Sequence, residues 1–388
     1  MKNSARDPLL DLLRLAGAVL VVLGHAKALF LAPAWQMQLS AAGKAFYLLH
    51  ALGHSAVVVF FVLSGYLVGG VTARKVVRGK FDPADYWAAR VSRLWTVLLP
   101  CLVIGILFDL ATMRFFPHAF QTASYQEIGL FTKSVAERMN FQNALGTALF
   151  LNTLVVDAPG SAVQMWSLAY EWWYYAIAGL GAMAVSQSGK RKALPLIILG
   201  AVVAFLALLN WDILAYLLIW LLGTAAFSLN VPEKAAKWTM TLSALFGFAC
   251  IGASLLNVLP TFLADLSLGA AVAAFLVGRK ANWEARAQMV RSSDLLAKLA
   301  DSSFTLYACH MPILLLLACI VSPAGRIAEL TPQALAPVYL SVLFVCGLAV
   351  ALASVTEWRT PLVRKWLFGQ LAARQNPSEP AKADKMSA

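Results

Sequence analysis

The chain has 388 residues, of which 60% are hydrophobic and only 13% charged, and its mean hydropathy is +0.72. A soluble fold of that length would leave too much apolar surface exposed, so the composition reads as an all-α, polytopic membrane protein. The net charge of +12 does not point to nucleic acid, because the basic residues cluster in short segments between apolar runs, as cytoplasmic loops do.

The first run, residues 8–31, carries Asp11, Arg14 and His25 in the stretch DPLLDLLRLAGAVLVVLGH. Charged groups inside hydrocarbon are costly and normally face a protein interior or a wet cavity. Arg14 and His25 are eleven residues apart, so they share a helix face about 16 Å from one another. Asp11 lies three residues before Arg14, within side-chain reach. The second run, 51–73, contains FFVLSGYLVGG; Ser64 and Gly65 there serve either close helix packing or a site. Arg90 and Arg93 precede the third run, 94–116. Three apart on one face, they either fork onto phosphate oxygens or simply anchor the inner surface.

The stretch 144–156 is apolar but short, and counting it as a span would put Lys190-Arg191-Lys192 outside. Residues 117–163 are therefore expected as one outer segment, with 144–156 in the interface or re-entering the membrane. The fourth run, 164–186, opens QMWSLAYEWWYY. Counted from Gln164, Glu171 lies about 10 Å below the outer boundary, where a lone carboxylate must be protonated, paired or functional. Trp166 and the aromatic residues around Glu171 also fit an interfacial belt. Runs at 193–209, 211–229, 238–256 and 261–278 follow. The ninth, 302–322, holds SSFTLYACHMPI, in which Ser303, Tyr307 and His310 share a face. The tenth spans 334–356. His50, His54 and His118 fall at or beyond the outer boundary and receive no role. The five cysteines sit in apolar runs without metal-type spacing, so neither a metal site nor a structural disulfide is expected.

Ten spans with both termini cytoplasmic satisfy the charge asymmetry. Lys2, Arg6, Arg74 to Arg93, Lys190 to Lys192, Lys234, Lys237, the 279–298 stretch and the basic residues from Arg359 onward fall inside. Only Lys44, Lys133, Arg138 and Arg326 fall outside. Asp11 and Arg14 break the apolar core a cleaved signal peptide needs, so a retained first helix is expected. Residues 1–369 read as one membrane domain and 370–388 as a disordered cytoplasmic tail.

Together these segments resemble the acyltransferase family 3 membrane proteins, bacterial O-acyltransferases that modify surface sugars. The match rests on LRLAGAVLVVLGH with Arg14 and His25, on FFVLSGY from Phe60 to Tyr66, and on the Arg90/Arg93 pair. It continues with WSLAYE from Trp166 to Glu171 and YACHMP from Tyr307 to Pro312. Two points depart from the family's pattern. Pro100 stands seven residues after the second arginine instead of close to it, and Glu357 with Pro361 fits the closing Glu-Pro pattern only loosely, so neither receives a role.

The resemblance implies transfer of an acyl group, most often acetyl, from acyl-CoA to a carbohydrate hydroxyl at the bacterial inner membrane, with no metal. An alcohol needs a base to remove its proton as it attacks, and His25 has the right intrinsic chemistry; a covalent acyl-histidine is the alternative use of the ring. Glu171 then orients or charge-stabilises that imidazole, while Arg14, Arg90 and Arg93 hold the CoA phosphates. Tyr307 and His310, with Ser64 and Trp166, fall to the acyl carbonyl or the acceptor. By residue count His25 lies roughly 20 Å into the core and Glu171 at similar depth, so the two are expected to meet in the outer half. The arginines stand at the inner edge, so the acyl group is expected to cross the bilayer. A transporter or flippase is the rival reading, since ion pathways also place ionisable groups in membranes. A non-catalytic scaffold leaves the buried charges unexplained.

Overall fold

The computed structural model describes residues 7–117, 133–286, 294–323, 326–327 and 330–375. Lys2, Arg6, His118 and residues 376–388 lie outside the described residues. Among the described residues the regular structure is helical; extended residues pair only in isolated bridges, Leu31 with Ile327 and Asn152 with Val156.

Helix α1 (Pro8–Phe30) starts where Asp7 accepts the Leu9 N–H at 2.9 Å and Pro8 occupies the first turn. Short α2 (Ala41–Leu49) leads to α3 (Gly53–Ser64), which continues through a π-helical turn, Gly65–Gly70, into α4 (Val71–Val77). Helix α5 (Pro83–Phe115) is capped by Asp82 and runs for 33 residues. That is about 50 Å, well beyond a hydrocarbon core of about 30 Å. After α6 (Val135–Arg138) and α7 (Phe141–Ala148) come α8 (Trp166–Ser186), α9 (Ala193–Leu209), α10 (Trp211–Ser228), α11 (Glu233–Leu255) and α12 (Thr261–Arg286). Helices α13 (Asp294–Ala300), α14 (Ser303–Val321), α15 (Pro332–Ala353) and α16 (Thr360–Gln375) complete the chain. The last of these continues past residue 369, where the sequence suggests a tail begins.

Nine apolar segments among the described residues are long enough to cross a membrane. Helix α8, at 21 residues, is the tenth helix of spanning length; its Trp, Tyr and Glu content keeps it out of a hydropathy count. The short run 144–156 does not span: α7 has eight residues, and a turn follows in which Phe150 and Thr153 take positive φ of 58° and 73°.

This segment packs into the bundle beside α5. Trp95 Nε1 donates to the Ala148 carbonyl at 2.9 Å, and Trp173 Nε1 to that of Phe150 at 3.0 Å. Farther along, buried Asp109 accepts both the backbone N–H and the hydroxyl of Ser161, at 2.8 and 2.7 Å. Trp95 and Asp109 are fourteen residues apart on α5, so residues 148–161 run alongside it for about 21 Å.

Two glycines set how closely α3 and α10 approach. A Cβ on Gly65 would collide with the Trp220 carbonyl, and one on Gly223 with the Val62 carbonyl. The small residue after Ser64 therefore serves backbone-to-backbone packing. Gly65 also opens the π-helical turn, Gly65–Gly70.

Candidate active site

Between α3, α5, α8, α14 and α16 lies a cavity of about 710 Å³. Five cations line it (Arg14, Arg90, Arg93, Arg364 and Lys365), against two carboxylates, Asp85 and Glu171. A cavity of this size holds a cofactor-sized ligand, and its charge favours an anionic one.

The three arginines singled out in the sequence all face this cavity, and a residue without an assigned role organises two of them. Glu357, only 3% exposed, stands 2.9 Å from Arg93 Nη1 and 3.6 Å from Arg14 Nη2. Its other oxygen accepts the Phe304 and Thr305 N–H groups, each at 3.2 Å. Arg14 also faces Asp301 at 3.8 Å and Asp11 at 4.0 Å. Arg90 differs: its guanidinium lies over the Tyr175 and Tyr86 rings, 5.3 and 5.9 Å from their centroids. Its buried Nε has no hydrogen-bond partner among the described residues.

Glu171 does not meet His25. Its oxygen accepts hydrogen bonds from Ser64 at 2.7 Å and from Tyr175, and Trp220 Nε1 donates in turn to Ser64 at 3.1 Å. The depth expected from the sequence is wrong for a physical reason. Counting from Gln164 assumes that α8 begins at the outer surface, but the packed-in segment before it starts α8 inside the bundle. Gln164 donates to the Ala308 carbonyl at 2.9 Å, and Ser167 bonds Tyr307 at 2.6 Å, in the second turn of α14. Glu171 lies about 10 Å farther along α8, towards the α16 end, whereas His310 lies one turn the other way.

His25 instead faces His310, with Nδ1 to Nε2 at 2.9 Å. The surroundings determine where the protons sit. His310 is fully buried, and its Nδ1 meets the Tyr307 carbonyl at 2.8 Å and that of Leu306 at 3.2 Å. A carbonyl only accepts, so Nδ1 carries the proton and, in a neutral ring, Nε2 is the acceptor. His25 Nδ1 must then donate, which leaves His25 Nε2 with a free lone pair. This is the arrangement of an oriented general base, with His310 as the orienting group.

Tyr307 stands between this pair and the cavity. It lines the cavity, donates to the Gln164 carbonyl at 3.0 Å, and meets the His310 ring edge-on at 5.9 Å. Trp166 is not among the cavity-lining residues; it packs edge-on against Phe61, Tyr170 and Tyr216. Of the histidines without a role, His50 is buried on the Phe46 carbonyl at 2.8 Å and His54 pairs with Asp265 at 2.7 Å. The sequence carried a hint of Glu357 in its loose Glu-Pro spacing, and one of Tyr175 as a partner for Glu171 in their separation of four residues along one helix.

The sequence profile of the acyltransferase 3 family, described as an acyltransferase domain, matches residues 7–356. The chain belongs to this family. It is a multi-pass membrane acyltransferase whose family-matched region contains Arg14, His25, Arg90, Arg93, Glu171 and His310 and ends just before Glu357. Among curated proteins it is similar to the exopolysaccharide production protein ExoZ of Rhizobium meliloti (strain 1021). The two are 25% identical over 324 residues, covering 81% of this chain and 90% of the relative. No solved structure gives a significant match.

Proposed function

We propose that this membrane protein transfers an acyl group, in the simplest case acetyl, from acyl-CoA to a carbohydrate hydroxyl. The observation that carries the proposal is the pairing, in one bundle, of a cation-lined cavity with a histidine whose Nδ1 is held by a second histidine at 2.9 Å. A CoA thioester brings both halves of the chemistry, a polyanionic nucleotide and an acyl carbonyl on a long flexible arm. Arg90 has no competing carboxylate among the described residues and is the first candidate for the phosphates. The arm then runs past Ser64 and Tyr307 towards His25, about 16 Å from Arg14 along α1.

There the acceptor hydroxyl attacks the thioester carbonyl while His25 Nε2 takes its proton. The C–S bond breaks, and the imidazolium returns the proton to the departing thiolate. His310 Nε2 accepts from His25 Nδ1 throughout and steadies the imidazolium. Tyr307, whose hydroxyl is held by Ser167 and Gln164, positions the arm. Glu171 fixes the Ser64 and Tyr175 hydroxyls at the cavity wall, a role different from the triad partner suggested by sequence.

The name of the R. meliloti relative associates that protein with exopolysaccharide production, which supports a carbohydrate acceptor. The positive-inside pattern supports a cytoplasmic α16, on the side where acyl-CoA is available. His25 lies towards the other face, so the acyl group crosses the bilayer and the sugar does not. Labelled acyl-CoA binding to purified protein tests the donor assignment. Saturable binding supports it, and absence of binding assigns the acyl group to a donor other than acyl-CoA.

A further inference from the structure

The cavity wall includes a helix outside the family-matched residues. Thr360, Pro361, Arg364 and Lys365 of α16 face the cavity, while Leu362 and Trp366 on the same helix are exposed, at 57% and 63%. Helix α16 packs along the first turns of α5, where Arg364 pairs with Asp85. Asp85 also accepts from Lys75 at 3.1 Å. Lys365, like Arg90, has no carboxylate partner among the described residues.

The cations thus form two tiers. Arg14 and Arg93 share the buried carboxylate of Glu357 and are largely neutralised. Arg364 pairs with Asp85, which precedes Arg93 on α5 by eight residues, or about 12 Å, and Lys365 is the neighbour of Arg364 on α16. A ligand with its anionic charge at one end and a neutral arm at the other matches that order.

Resting on the donor assignment above, we propose that α16 completes the donor site. Arg364 and Lys365 bind phosphate oxygens at the nucleotide end of acyl-CoA, and Asp85 holds Arg364 until a phosphate displaces it. Arg364 meets Asp85 through one guanidinium nitrogen only, and a phosphate offers the guanidinium a second oxygen for bidentate contact. Asp85 sets the threshold: its charge opposes an entering anion, and its loss frees both Arg364 and Lys75.

The test uses the full chain in nanodiscs of zwitterionic lipid, which leaves no anionic headgroup to compete. Affinities are measured for acetyl-CoA and for acetyl-pantetheine, which has the thioester arm but no phosphate. The R364A/K365A double variant should lower the preference for acetyl-CoA over acetyl-pantetheine about tenfold or more, the effect of losing charge-assisted contacts. Asp85→Asn should change the same ratio in the opposite direction, which misfolding would not do. An unchanged ratio in both variants overturns the proposal while leaving the donor assignment intact. A change seen only in discs of anionic lipid also overturns it, and assigns the two cations to headgroup phosphates. Failure of the wild-type protein to bind acetyl-CoA removes the donor assignment, and this proposal with it.

Discussion

Replacing His310 tests the tautomer argument most sharply, because His310 is assigned to act through His25 and not on substrate. His310→Phe removes the side-chain acceptor that faces His25 Nδ1 at 2.9 Å, while keeping an aromatic ring at a fully buried position. His25 is then free to rotate or to protonate Nε2, and the lone pair no longer points reliably at the acceptor hydroxyl. A positioned general base is worth about 10²–10⁴ in rate, equivalent to about 3–5 kcal/mol of transition-state stabilisation. The variant should lose most of that range in turnover, with the KM for acyl-CoA nearly unchanged because the phosphate cations are not involved. His310→Gln, whose side-chain oxygen accepts a hydrogen bond, should recover part of the loss. The decisive comparison is a double-mutant cycle: H25A and H25A/H310F should be equally inactive, since an orienting group has nothing to orient once the base is gone. The reasoning fails if H310F, shown to be folded by size-exclusion profile and thermal transition, retains wild-type turnover. It also fails if adding it to H25A costs further activity.

Glu357→Gln keeps an oxygen for the Phe304 and Thr305 N–H groups but removes the charge that Arg93 and Arg14 share, leaving Arg14 with Asp301 and Asp11. With both arginines partly solvent-accessible, the screened cost is about 1–3 kcal/mol, read as a lower midpoint in thermal unfolding; an unchanged midpoint contradicts the pairing. Gly223→Val should prevent assembly of a monodisperse protein, because the new side chain meets the Val62 backbone carbonyl, which cannot move without opening the α3–α10 crossing. Wild-type yield and profile would refute that packing. Arg90→Ala should weaken acyl-CoA binding, with the larger deficit at low salt where phosphate contacts are least screened; a deficit confined to the acceptor would make Arg90 a topology signal only.

The sequence was most informative where physics is local. Spans of apolar residues can only be helices in a bilayer, so the ten runs, the non-spanning 144–156 stretch and the three cavity arginines are all readable from it. It was least informative where long-range packing shifts an element along its axis. Glu171 could not be paired correctly because nothing in QMWSLAYE reveals that Trp95 and Asp109 draw the preceding segment into the bundle and start α8 below the surface. The same shift places Ser64, not His25, beside Glu171. His310 was recognisable as a site candidate from Tyr-x-x-His, but its partner, 285 residues away, emerges only when α1 and α14 pack. Helix α16 was read from charge alone, which marks a cytoplasmic side equally well whether its cations face water, lipid or a cavity.

Sidedness of the reaction tests the central claim directly. In proteoliposomes with the α16 end facing outward, acyl-CoA labelled in the acyl group is supplied outside and a membrane-impermeant carbohydrate acceptor is enclosed. The account predicts label on the enclosed acceptor, none with H25A, and free CoA remaining outside. Label appearing only when donor and acceptor share one face would contradict transfer through the bundle and require a site open to a single side.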